Sequence, residues 1–180
     1  MSQSPKSKSS KRSTESDGEF PLGAREYFFY LLFQAARQRD LFCDKALSSC
    51  GLNMAQWRSL AIVRRLEVCT MTSLARYSTV ERTTLTRAVD QLVGRGLVSR
   101  WVPDRDRRQV NLSLTDQGEE LFLRAVKILD AHNAQLLDEV HPDRLRDTMA
   151  LLQANLRKLA GSDELAMDLL NFGRAEPGQG

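Results

Sequence analysis

This chain of 180 residues has only three cysteines and two histidines, the residues most often found in disulfide frameworks and metal centres. Cys43, Cys50 and Cys69 are odd in number and show no C-x-x-C spacing. That excludes a disulfide framework or a cysteine zinc site and leaves three reduced, mostly buried thiols as the expectation. His132 and His141 stand nine apart with no ligand-spaced partner, so no metal site is expected. There is no glycine-rich phosphate loop and no G-x-S-x-G turn, and the acids fall on helix faces. No catalytic residue, no cofactor and no enzymatic activity are expected. No stretch of eighteen apolar residues exists, which argues against a membrane partner and for a cytoplasmic protein.

Two further absences are local. Residues 1–18 lack every aromatic, Leu, Ile and Val, and cannot bury enough apolar surface to offset the entropy of ordering. They are expected to form a disordered basic arm carrying Lys6, Lys8, Lys11 and Arg12. Between Asn53 and Gly118 there is no lysine at all, yet there are eleven arginines against six acids, a surplus of 11 − 6 = +5. The rest of the chain carries 15 basic and 17 acidic residues, or −2. An arginine-only basic module between more acidic flanks suits bidentate recognition or phosphate contact.

Helical periodicity covers most of what remains. Glu19 to Ser49 predicts a long helix, ended by Cys50-Gly51 with Gly51 as a left-handed cap. Asn53 predicts the cap of a second helix, Met54 to Leu66, with Trp57, Leu60, Ala61 and Ile62 inward. Val68 to Met71 is short enough for a small strand, and Thr72 is expected to cap a helix over Ser73 to Tyr77. A fourth helix, Glu81 to Arg95, has the apolar stripe Leu85, Ala88, Val89 and Leu92. Its other face carries Arg82, Thr83, Thr86, Arg87 and Asp90. Ser78 and Glu81 suggest a capping box at its start. Thr115 or Asp116 predicts the cap of a helix to about Val140, and Pro142 the first residue of another to Leu159. Asp163 to Phe172 is expected to add a last short helix.

Between the fourth and fifth helices lies WVPDRDRRQVNLSLTDQG, residues 101–118, in which five consecutive charges separate two β-like runs. A charged tip on a hairpin explains that arrangement. Helix, short strand, helix, helix and hairpin is the order of a winged helix-turn-helix, whose second helix enters the major groove of DNA. Arginines at the tip of the wing suit phosphate or a narrow minor groove. Asp106 is placed to pair with Arg108 and fix its guanidinium.

Four stretches give this segment its kinship: GLNMAQWRSL (51–60), TSLARYSTVERTTLTRAVDQLVGRGLV (72–98), PDRDRR (103–108) and LSLTDQG (112–118). Together they resemble the MarR family, the multiple-antibiotic-resistance regulators. The D-x-R of the wing followed by L-T-x-x-G is the most family-specific part, and the resemblance spans about residues 24–160. Glu81 departs from the family's usual short cap. The resemblance implies a mainly α fold with a small β-hairpin wing, a winged helix-turn-helix between long N- and C-terminal dimerisation helices. The implied organisation is an arm at 1–18, an N-terminal dimerisation helix at 19–51 and the DNA-binding domain at 52–118. C-terminal dimerisation helices follow at 119–172, then a flexible tail at 173–180.

Function follows as an expectation of the same kind: a homodimeric transcription regulator, commonly a repressor, on a pseudo-palindromic double-stranded operator. Arg82, Thr83, Thr84, Thr86 and Arg87 are expected to face DNA, with Arg82 and Arg87 as candidates for guanine readout. Thr72, Ser73 and Arg76 are expected near the backbone, and Arg105, Arg107 and Arg108 on the wing. The family implies release by a small effector, an aromatic acid, a phenolic compound or an aromatic acyl-CoA. Tyr30, Phe33, Arg37, Trp57, Arg58 and His132 are the candidate ligand-binding residues, an aromatic wall with cationic groups for a carboxylate. Thiol-oxidation sensing and a helical interaction protein without DNA binding are the alternatives.

Overall fold

A computed structural model describes residues 23–103 and 109–172. The expected basic arm at 1–18, residues 19–22 of the expected first helix, the expected tail at 173–180, and Arg105, Asp106, Arg107 and Arg108 lie outside the described residues. Within the described residues the chain forms helices α1 (Gly23–Leu47), α2 (Met54–Leu66), α3 (Met71–Tyr77), α4 (Arg82–Gly94), α5 (Asp116–Leu137), α6 (Pro142–Leu159) and α7 (Asp163–Phe172). Three short strands complete it: β1 (Cys69–Thr70), β2 (Val98–Trp101) and β3 (Asn111–Leu114). The chain divides into two units between Arg39 and Asp40, inside α1.

In the first unit α1 displays aromatic side chains. Tyr27 stacks on Tyr30 at 6.2 Å between ring centroids, and Phe28 meets Phe29 edge to face at 5.2 Å. The second unit opens with the last two turns of α1. The helix stops at Leu47 and tightens into a 3₁₀ turn, Ser48–Cys50, where Ser48 and Ser49 donate back to the carbonyls of Lys45 and Ala46. Gly51, at φ 67°, then reverses the chain as expected.

Local chemistry sets most of the following boundaries. Asn53 and Gln56 form a full capping box at the start of α2, each side chain accepting from the other's backbone N–H. The cap of α3 is Thr70, not Thr72: the Thr70 hydroxyl accepts from the Ser73 N–H at 3.0 Å. Thr70 is fixed by β1, so the helix starts two residues earlier than expected. The capping box expected from Ser78 and Glu81 is also absent. The Ser78 hydroxyl accepts from Val80 N–H, while Glu81 itself caps α4.

β3 is central in the sheet, whose order is β1-β3-β2 with both pairings antiparallel. Val98 stands opposite Leu114, and Arg100 opposite Leu112. Leu112 is fully buried and joins Leu47, Leu60, Val63, Leu74, Leu85, Val89 and Leu92 in one core. The L-T-x-x-G sequence closes the join from sheet to α5. Leu114 ends β3, and the Thr115 hydroxyl donates to the Gly96 carbonyl at 2.7 Å while accepting from Gly118 N–H at 3.0 Å. Gly118 must lack a side chain, because a Cβ there would lie 2.0 Å from the Leu97 carbonyl oxygen.

Candidate nucleic-acid interface

The site is built on α4. One face, Leu85, Ala88, Val89 and Leu92, is buried; Arg82, Thr83, Thr84, Thr86 and Arg87 are all exposed on the other. Core packing thus presents the five expected residues together along one helix. Glu81 organises the first turn. Its carboxylate accepts from the backbone N–H of Thr83 and Thr84, and from the Thr83 hydroxyl at 3.0 Å. The Thr83 backbone bond, then the Thr83 hydroxyl and the Thr84 backbone bond, with a smaller part from the charge of Arg87, hold Glu81 below the usual carboxylate range. Thr86, exposed on the same face, donates its hydroxyl to the Arg82 carbonyl.

The helix is tied to its surroundings by contacts that only the fold brings together. Arg100 on β2 binds Asp90 on α4 at 2.7 Å, which fixes the base of the wing to the helix. Gln56, buried on α2, donates to Gln91 at 2.8 Å, and Arg95 donates to the Gly51 carbonyl. Opposite charge on an exposed strand position and a helix face was the only signal for Asp90 and Arg100. Their pairing needs the β2 register.

On α3 the expected residues divide. Thr72 is exposed; Ser73 is half-buried with its hydroxyl 3.1 Å from that of Thr70. Arg76 is exposed but engaged, its Nη2 2.6 Å from the Asp168 carboxylate on α7.

The candidate ligand residues are divided between the two units. Tyr30, Phe33 and Arg37 belong to the first unit, where all three are exposed. In the second unit Trp57 stacks on Phe122, with centroids 5.0 Å apart, as part of the core packing. Arg58 is taken by Asp40, through both carboxylate oxygens at 2.7 and 2.8 Å. His132 borders an open groove of about 800 Å³ between the end of α1 and α5. Its ring lies 5.2 Å from that of Phe42, and Lys45, Ser49, Lys127 and Ile128 complete the walls. The lysines were missed because each looks like an ordinary exposed helix residue.

Cys43 and Cys69 are buried, and burial pushes the Cys69 thiol up to about 11, unfavourable for a reactive thiolate. No group of three or more His, Cys, Asp or Glu among the described residues is arranged to hold a metal. No helix among them is long and apolar enough to cross a membrane.

Comparison with known proteins agrees with this geometry. Residues 52–110 match the family model described as MarR family. A cysteine-to-serine mutant of MarR from E. coli, complexed with operator DNA, superposes with a TM-score of 0.66. It is 24% identical over 72% of this chain and 94% of that one. A MarR-family transcriptional regulator from Silicibacter pomeroyi gives 0.65 at 27% identity, over 77% and 93%. BpsR of Bordetella bronchiseptica, whose DNA binding is regulated by 6-hydroxynicotinic acid, gives 0.65 at 20%, over 71% and 97%.

Proposed function

Given that this chain belongs to the MarR family of winged-helix transcription regulators, we propose that it acts in the cytoplasm as a homodimeric repressor. It would bind a pseudo-palindromic operator and be released by a small aromatic acid. The exposed face of α4 carries the reading: two arginines and three threonines stand together on a helix whose opposite face is locked into the core. Arg82 and Arg87 are assigned to base edges or phosphates in the major groove. Thr72, Ser73 and Arg76 are assigned to the backbone, and Arg105, Arg107 and Arg108 to the wing, with Asp106 fixing Arg108.

Dimerisation is supported by α6, in which no residue is buried although Leu145, Met149, Leu152 and Leu156 fall on one face. Two copies burying such stripes would place two α4 helices in successive major grooves. For the effector, the groove beside His132 supports an anion with a flat apolar body. Lys45 and Lys127 supply positive charge and Phe42 an aromatic wall. The regulation of BpsR by 6-hydroxynicotinic acid is consistent with this class. Trp57 and Arg58 are not retained as effector contacts, since packing and Asp40 already occupy them.

The test is a gel-shift titration on the promoter regions flanking the protein's own gene, with and without a panel of aromatic acids and their CoA thioesters. A retarded complex that one compound abolishes is expected. No complex at low salt would overturn the DNA reading, and a complex indifferent to every compound would overturn the effector class. Arg108→Ala is expected to weaken binding while the dimer persists.

A further inference from the structure

Helix α7 sits on the helix-turn-helix rather than apart from it. Gly161, at φ +73°, turns the chain after α6, and the Ser162 hydroxyl accepts from Leu165 N–H at 3.2 Å as α7 begins. From there α7 lies against α3. Ala166 is buried, and Phe172 stacks on Tyr77 with centroids 4.2 Å apart and ring planes within 12°. Asp168 binds Arg76 at 2.6 Å. The helix carries three acids, Asp163, Glu164 and Asp168, and no base.

We propose that α7 is an intramolecular brake on DNA binding, seated by Phe172 on Tyr77, in which Asp168 occupies the cation that α3 would offer to a phosphate. The proposal rests on the reading of Arg76 as a backbone contact. A carboxylate and a phosphate present the same chemistry to a guanidinium, anionic oxygens accepting from its N–H groups. An Arg76 already neutralised by Asp168 releases little counterion atmosphere when it nears DNA, so its share of the electrostatic affinity is lost. The carboxylate itself also repels the backbone.

Two features make the brake releasable without detaching the helix. The ion pair is open to solvent, with the two side chains 46% and 39% exposed, so it is weak and yields to a stronger anion. The ring stack and the burial of Ala166 do not depend on that pair, so α7 stays seated when the pair opens. Asp168 remains beside Arg76 and re-engages it when DNA leaves. The device thus sets the resting affinity and leaves the bases contacted by α4 unchanged.

The test uses the full chain and a fluorescently labelled duplex of arbitrary sequence, about 30 base pairs long, enough for two half-sites one turn apart. Binding is followed by anisotropy over a salt series. Asp168→Asn is expected to raise affinity roughly two- to fivefold at low salt, the range of an exposed ion pair. It is also expected to steepen the dependence of log K on log salt by about one, as one phosphate contact is regained. On an Arg76→Ala background most of that gain should vanish, the signature of direct coupling. Phe172→Ala, which unseats the helix, should raise affinity in the same direction. Should it unfold the protein, Asp168→Asn still decides.

An unchanged slope and affinity in Asp168→Asn would overturn the brake. A fall in affinity would also overturn it, showing that α7 instead buttresses α3 in its binding position. If the unaltered protein gave no salt-dependent binding, the DNA reading itself would fall, and the brake with it.

Discussion

Helices α4 and α6 are both amphipathic, yet they have opposite fates. The apolar stripe of α4 lies wholly in the core of its own chain, while α6, five residues longer at 18 against 13, buries none of its residues. Met149 is 48% exposed, and Leu151 and Leu159 are more so. The contrast teaches that periodicity identifies a stripe without saying what covers it. For α4 the cover is α2, the sheet and α3. For α6 the proposed cover is a second copy.

The largest effect is expected where the winged helix has no room at all. Gly118→Ala forces a Cβ against the Leu97 carbonyl, and backbone cannot yield as a side-chain tip does. A loss of about 3 kcal/mol is expected, at the upper end of overpacking costs. Equilibrium urea unfolding measures it, and a loss below 1 kcal/mol would show that the join has slack.

Next comes the direct contrast of the two stripes. Leu92→Ala should cost about 3 kcal/mol through the cavity it leaves. Met149→Ala should change the unfolding of dilute protein by less than about 0.5 kcal/mol, as for an ordinary surface site. Met149→Asp should instead shift the sedimentation equilibrium toward monomer. Equal unfolding losses at positions 92 and 149 would dissolve the contrast, and an unshifted Met149→Asp would remove α6 from the dimer interface.

Smaller again is Thr115→Ala, which removes the cap of α5 and the bond to Gly96. About 1–2 kcal/mol is expected by thermal or urea unfolding. Glu81 comes last, being fully exposed. Its carboxyl is lowered in the folded chain, so its contribution is fully present above the unfolded carboxyl range. That contribution is lost as pH falls through the lower, folded value. Following the Thr83 and Thr84 amide resonances through acid titration should show the N-terminus of α4 loosening there, and Glu81→Gln should flatten the response.

What was legible in the sequence follows from how local each determinant is. Asn53 and Pro142 act within three residues of a helix start and were placed, and Thr115 was one of two candidates beside Asp116. The stripe of α4 and the turn at Gly51 were equally legible, since a period and a positive φ are written in neighbouring residues. Thr70 was not, because Thr72 offers the same hydroxyl and only the pairing of β1 with β3 chooses between them. The site shows the same division. The exposed face of α4 follows from its buried one, but Arg58 with Asp40, Arg100 with Asp90 and Arg76 with Asp168 stand 18, 10 and 92 residues apart. A surface arginine carries no mark of which acid the fold will bring to it.

The close approach at Gly118 has a mechanical meaning. A joint padded by flexible side chains absorbs small rotations, whereas one where helix backbone nearly touches the backbone leading into a strand has no play. Through Thr115 the same joint grips Gly96, at the trailing end of α4. A tilt imposed on α5 is therefore geared to the sheet and to α4 together, and the long helix works as a stiff lever arm.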